Sequence, residues 1–231
     1  SSAGAASVVY ANRLTQGIAS MGVGQNGFRR ALLADTLDAG DGSLLYALEA
    51  QHNDGPFTQP DRYHKLNGVL RYSEGYANNG FNVTAMAYDA SWNATDQIPL
   101  RAVQNGALGR FDAIDASDGG KAQRYSLSGA WRQTTDDVSS RVNAYVIANR
   151  LALFSNFTYA MDDPVNGDQF AQPDRRVTAG LDASHTWHRH TDRGSSDTTI
   201  GVQLQNDNIH NGLYNTRQRQ IVSTTRQDHI V

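Results

Sequence analysis

Apolar and polar residues alternate along most of this chain. Between residues 123 and 133, Tyr125, Leu127, Gly129 and Trp131 fall on one face, and Arg124, Ser126, Ser128 and Arg132 on the other. Val177, Ala179, Leu181, Ala183 and Trp187 alternate with Arg176, Thr178, Asp182, Ser184 and His188. Thr198, Ile200, Val202 and Leu204 alternate with Thr199, Gly201, Gln203 and Gln205. The same pattern sets Leu66, Gly68, Leu70 and Tyr72 against Lys65, Asn67, Val69 and Arg71, and Leu44, Tyr46, Leu48 and Ala50 against Ser43, Leu45, Ala47 and Glu49. A period of two is the signature of strands with one buried face. Less regular runs lie at 17–23, 28–37, 81–92 and 140–159. The pattern predicts about ten strands, a number that sandwiches and barrels both reach.

The connections discriminate between those architectures. Short links after Leu37 and at 74–80, 134–139 and 191–196 alternate with long ones at 51–62, 93–120 and 156–174. The tail from Asn206 reads as the opening of another long link. Strict alternation of this kind predicts an outer-membrane barrel, with short periplasmic turns and long extracellular loops. Several predicted strands reach a dozen residues, beyond the usual soluble length. Tyr63, Trp92, Trp131, Tyr159 and Trp187 stand near predicted strand ends, where a barrel carries its aromatic girdles. Alternation does not say which face is inward, so a soluble β-sandwich remains an alternative.

Composition agrees with an all-β chain. Of 20 Lys+Arg only Lys65 and Lys121 are lysine, and of 23 Asp+Glu only Glu49 and Glu74 are glutamate, so the charged residues that helices favour are nearly missing. The chain has 231 residues, 39% hydrophobic and 19% charged, with mean hydropathy -0.54, which is too apolar for a disordered segment. A net charge of -3 argues against a nucleic-acid partner bound through a charge field. With no cysteine there is no disulfide framework, thiolate zinc site or thiol nucleophile. No apolar run is long enough for a transmembrane helix. The N-terminal Ser-Ser-Ala-Gly-Ala-Ala-Ser has no basic region or apolar stretch of a signal peptide, and reads as the start of a mature product or of a piece of a longer chain.

Candidate chemistry is sparse. His185, His188 and His190 form the densest histidine group, but further metal ligands are not evident, and polar strand-end residues are the simpler reading. Asp112, Asp115 and Asp118 form one acidic loop, and Asp162, Asp163, Asn166 and Asp168 another. Neither has the spacing of an EF-hand, and carboxylates bonded to their own backbone explain both. No metal site and no cofactor is expected. His52 and His210 fall in predicted long links, with His64 at a strand start, yet no nucleophile elbow accompanies them and no catalytic residues are assigned. The sequons at Asn82, Asn93 and Asn156 carry no meaning in a bacterial outer membrane.

Several ordered motifs resemble a known family. They are Leu44-Leu45-Tyr46-Ala47-Leu48-Glu49-Ala50 with Asp54-Gly55-Pro56-Phe57, then Thr95-Asp96-Gln97-Ile98-Pro99 with Arg101-Ala102, and Ile114-Asp115 with Asp118-Gly119-Gly120. Ser155-Asn156-Phe157-Thr158-Tyr159, Asp163-Pro164 and Gly167-Asp168-Gln169-Phe170 complete the set. Together they are similar to the N-terminal half of the barrel of TonB-dependent outer-membrane receptors. The resemblance implies an all-β antiparallel transmembrane barrel segment, partial relative to the family's barrel of about 22 strands. It implies that residues 1–14 are a remnant of the plug domain and that 15–231 are partial barrel. It further implies a receptor in the cell outer membrane, not an enzyme, that takes up a scarce nutrient such as an iron chelate or carbohydrate. Its partners would be a small nutrient ligand, outer-membrane lipid, and the TonB complex through the missing plug. Ligand-facing loop candidates are then Asp96, Arg101, Arg110, Asp112, Asp115, Asp118, Asp163 and Asp168. Arg71, Arg124, Arg132 and Arg176 are assigned to the lumen by face parity. A self-closed ten-stranded barrel acting as enzyme, adhesin or pore is the alternative.

Overall fold

The computed structural model describes residues 9–76, 79–192 and 194–231. Its strands are β1 (Ile18–Val23), β2 (Arg29–Ala39), β3 (Gly42–Asn53), β4 (Tyr63–Tyr76), β5 (Asn79–Asn93), β6 (Gly119–Thr134), β7 (Val138–Ser155), β8 (Phe170–Thr191), β9 (Gly194–Arg217) and β10 (Gln220–Ile230). Among the described residues one short helix, α1 (Leu100–Gln104), interrupts them. All ten form one sheet whose spatial order is the chain order, every pair antiparallel. β1 and β10 are its two edges.

The register keeps the pleat in phase from strand to strand. Leu44, Tyr72, Val83, Gly129, Ala144, Leu181 and Leu204 form one cross-strand row. On the opposite face Leu45, Arg71, Thr84, Ser128, Tyr145, Gly180 and Gln205 form another. A slip of one residue in any strand would exchange the two sets. The apolar face is uncovered: Met21 is 90% exposed, Leu66 63% and Ile200 64%. The polar face is enclosed across β2 to β5, where Ala34, Ser43, Ser73 and Ala90 are buried. Thr84 and Arg71 are buried there, and residues 9–14 run across it without strand pairing. Within it, Glu49 accepts from Arg30 Nε at 2.6 Å and lies 2.8 Å from Lys65 Nζ. The hydrophobic core of an ordinary soluble sheet is thus inverted.

Along β8, the apolar face runs from Val177 to Trp187 through Ala179, Leu181, Ala183 and His185. At about 3.3 Å per residue and a tilt of about 40°, that stretch spans about 25 Å, the height of a barrel's apolar band. His185 is the polar exception. Its Nδ1 lies 2.7 Å from Ser140 Oγ and its ring meets Trp187 edge-on at 4.4 Å, so its polarity is satisfied within the sheet.

The structure corrects three sequence expectations. The tail from Asn206 is no long link: β9 continues to Arg217 and a tight turn at Gln218 and Arg219 leads into β10. Both faces are polar there, so alternation carried no signal, and the turn uses positive φ at Gln218 (49°) and Arg219 (65°) without the usual Asn or Gly. His210 therefore sits in β9, and His52 in β3, which runs on to Asn53; neither is in a loop. Tyr159 is in a loop with φ 75°, because β7 stops at Ser155.

Candidate functional site

The links at 54–62, 94–118 and 156–169 and the turn at 218–219 meet at one end of the strands. The opposite end carries the short turns at 40–41 and 135–137. What holds the long links together is a buried polar cluster around Gln169. Its Nε2 donates to Asp118 Oδ1 at 2.9 Å, to Ser117 Oγ at 2.8 Å and to Asp115 Oδ2 at 3.2 Å. Its Oε1 accepts from Thr216 Oγ1 at 3.0 Å and from the Arg219 backbone N–H at 2.9 Å. Arg219 returns the connection, donating from Nε to the Ser117 carbonyl at 2.6 Å and from a terminal nitrogen to the Asp118 carbonyl and Asn93 Oδ1, both at 3.2 Å. Its guanidinium lies over the Phe154 ring at 5.4 Å.

Asp118 is 1% exposed, so it faces the cluster and not solvent. Its Oδ2 is buried without a hydrogen-bond partner. Burial pushes this carboxyl up to about 7, against the bond from Gln169 and with help from Asp115 and Asp96. The neutral acid is the form that such an enclosure favours. Gly119 follows at φ 139°, where a Cβ would strike the Trp92 carbonyl, so the chain enters β6 through a position that only glycine fits.

The link at 156–169 is organised by its own carboxylates. Asp168 accepts from Thr158 Oγ1, Met161 N and Asp163 N, each at 2.7 Å, and from Asp162 N at 3.1 Å. Burial raises its pKa, and these bonds outweigh that to hold it below the usual carboxylate range. Asp163 is lowered too, by the backbone N–H and side-chain amide of Asn166 and the Val165 N–H. Asp112 is lowered by the Thr58 hydroxyl and the Gly109 N–H, which joins the link at 94–118 to that at 54–62. In the latter, burial and then the charge of Asp54 raise Asp61. Asp96 adopts φ 46° and accepts from Asn156 N at 3.4 Å. Asp112, Asp163 and Asp168 are therefore spent on backbone N–H groups, and no group of three or more His, Cys, Asp or Glu suited to a metal occurs among the described residues. His188 faces Asp197 at 2.9 Å, away from any such group.

Between the two longest links lies a cleft of about 350 Å³. Pro99, Ala102, Leu108 and Ile114 line one side, Tyr159 and Met161 the other, and Arg101 on α1 is the charged side chain in its wall. Arg110 is exposed on the same link, outside the cleft lining. The sequence candidates thus divide: Arg101 reaches the cleft, while Asp96, Asp112, Asp115, Asp118, Asp163 and Asp168 shape the links around it. Of the two residues that hold the arrangement, Gln169 stands in a family-like motif without a role assigned to it, and Arg219 carries no sequence signal, since one polar residue in a polar stretch looks like any other.

The four arginines lie on the polar face. Arg71 and Arg132 border a hollow of about 220 Å³ beside Asn12. Arg124 stands opposite Tyr88 and Asn149, and Arg176, opposite Asn149, pairs with Asp174 at 3.5 Å. Arg71 donates to Thr84 Oγ1 at 2.6 Å and to Asn12 Oδ1, so its charge is bound to the N-terminal segment.

No protein-family model and no curated protein matches this sequence. Among solved structures, the chain is similar to the ferric citrate transporter FecA in its unliganded form, with a TM-score of 0.63 at 10% identity. The match covers 93% of this chain and 31% of that one, so the chain spans about a third of the transporter's length. At that identity the likeness shows the fold: this is an all-β antiparallel sheet with the architecture of an outer-membrane barrel segment.

Proposed function

We propose that this chain forms part of the wall of an outer-membrane transport barrel of the TonB-dependent kind and helps capture a nutrient at its long-loop end. The observation that carries the reading is the inversion of the sheet. Its apolar side chains are exposed across successive strands, while the buried side chains of β2 to β5 lie on the polar face, which carries the N-terminal segment. Water gives no reason for that arrangement and a bilayer does. The polar face is then the lumen wall, and residues 9–14 are the end of a plug bound to it through Arg71. The edges of β1 and β10 pair with further strands, because unpaired backbone is not sustained in lipid. The cleft at Arg101 has apolar walls and one cation, which suits a small ligand with an anionic group.

The test is the native polypeptide, detected with an antibody to residues 93–120 in outer-membrane and soluble fractions. The expected result is a membrane band about three times the mass of this chain, as about 22 strands and a plug require. Uptake of candidate iron chelates should then depend on TonB. A band in the soluble fraction would overturn the reading. A membrane band near 25.2 kDa would point instead to a self-closed barrel.

A further inference from the structure

Across β7 to β10, the apolar face carries an in-register row of basic residues: Arg150, Arg175, His210 and His229. Arg150 and Arg175 are directly opposed and both exposed. Opposed like charges destabilise a sheet pair. Among the described residues neither guanidinium has a carboxylate partner. The nearby carboxylates are turned to the other face, where Asp174 meets Arg176, Asp207 accepts from Thr178 at 2.5 Å, and Asp228 meets Arg226. Asp89 faces this side two strands from Arg150, but it is engaged by Gln123 and Lys121. The sheet has thus sorted its charges and left this row positive. The rings of His210 and His229 stack at 3.8 Å, extending the row to the sheet edge.

Position gives the row a meaning. It begins one outward position above Ala148 and Val177, where the apolar stretch that ends at Trp187 stops. Above it, toward the long links, lies a hollow of about 520 Å³ with Phe154, Pro173 and Tyr214 in its wall and Arg175 and Arg219 at its border. Side chains on this face meet bilayer, so cations at the upper limit of the apolar band stand at head-group level. Resting on the membrane reading above, we infer that Arg150 and Arg175 bind the phosphorylated sugar head group of an outer-leaflet glycolipid. The phosphate bridges the two guanidiniums, and the hollow above receives the adjoining sugar. An anion between two arginines turns the opposed pair from repulsive to bidentate.

The experiment uses the full-length protein extracted from outer membranes. It is titrated with micelles containing diphosphoryl lipid A, with the same lipid after removal of both phosphates, and with inorganic phosphate. The diphosphoryl lipid should bind at least tenfold more tightly than the dephosphorylated one. Arg150→Gln with Arg175→Gln should abolish that preference, and Arg150→Lys with Arg175→Lys should keep most of it. Equal binding of both lipids by the wild-type protein overturns the inference even if a variant does not fold. So does an unchanged preference in the folded glutamine variant, or saturation by inorganic phosphate without lipid preference. Recovery of the protein from the soluble fraction would overturn this inference and the membrane reading together. Normal membrane location with no role for the arginines would overturn this one alone.

Discussion

The guanidinium of Arg71 converges on the side-chain oxygen of Asn12, from Nε at 3.1 Å and from a terminal nitrogen at 2.7 Å. Ser73 Oγ donates to the same oxygen at 3.2 Å. One asparagine oxygen therefore serves a buried cation from one strand and a hydroxyl from the same strand, while the backbone around it accepts from Ser43 at 3.3 Å and Leu14 N donates to Thr36 Oγ1 at 2.9 Å. Among the described residues the N-terminal segment is attached to the polar face through side chains of the sheet, without a ladder.

Such an attachment is open to a single change. Asn12→Ala leaves Arg71 buried and short of an acceptor, a loss of about 1.5–3 kcal/mol for a bond to a charged group. The segment should open more often, and protease cleavage after Arg13 should quicken by on the order of tenfold or more, since cleavage follows the open population. Limited proteolysis of the folded protein checks this. An unchanged cleavage rate would show that Arg71 does not hold the segment.

The turn from β9 to β10 makes a different prediction. Gln218 and Arg219 both hold positive φ, a conformation that Asn-Gly adopts without strain. Replacing the pair by Asn-Gly would normally strengthen a hairpin. Here it removes the Arg219 bonds to Ser117, Asp118 and Asn93. The expected outcome is a split: slower hydrogen exchange within the hairpin and faster exchange at 115–119, with Arg219→Ala giving only the second effect. Uniform slowing at both places would contradict a clamping role for Arg219.

Gly180 tests the enclosed face. The ring of Tyr145, its cross-strand neighbour, lies over it with no room for a methyl group. An aromatic ring covering a strand glycine is a known way to fix register. Gly180→Ala should lower stability by about 1–3 kcal/mol through overpacking. Adding Tyr145→Ala should recover part of that loss, which the urea midpoint of the folded protein would report. Additive losses in the double variant would show that the contact is not the cause.

How legible this was depends on what each residue's signal rests upon. Leu44 to Ala50 and Gln123 to Gln133 separate in the sequence into the same two sets that the pleat of β3 and β6 separates, because one set is apolar and the other is not, and period two follows from that alone. β9 beyond Asn206 carries no alternating pattern, since Asn208, His210 and Asn211 are all polar, and only backbone pairing with β8 and β10 keeps the strand. Arg71 was assigned to its face by parity, but its partner Asn12 was not foreseeable, because a contact across 59 positions leaves no local mark. Asp118 and Asp168 both read as exposed loop carboxylates. One is buried with its Oδ2 unpartnered and the other is saturated with N–H donors, a difference that only packing creates.

That difference gives the two long links opposite responses to pH. Asp118 titrates at about 7 in the folded loop, above the ordinary carboxylate value. Between about pH 4 and pH 7 the folded loop holds a proton that the unfolded chain has lost, so stability falls as pH rises through that window. The shift is worth on the order of a few kcal/mol to the link at 94–118. Asp168 is shifted the other way: its contribution is present above the ordinary carboxylate value and is lost as pH falls through its lowered folded value. Hydrogen exchange, corrected for its intrinsic pH dependence, should therefore be faster at 94–118 at pH 8 than at pH 5.5. The link at 156–169 should be indifferent over that interval, apart from the bonds that its Gln169 makes to 115–118, and loosen only in acid. Asp118→Asn carries no titratable proton and should remove the difference at 94–118. If that variant kept the wild-type pH response, the proton would lie elsewhere in the cluster, and burial of Asp118 would not be its origin.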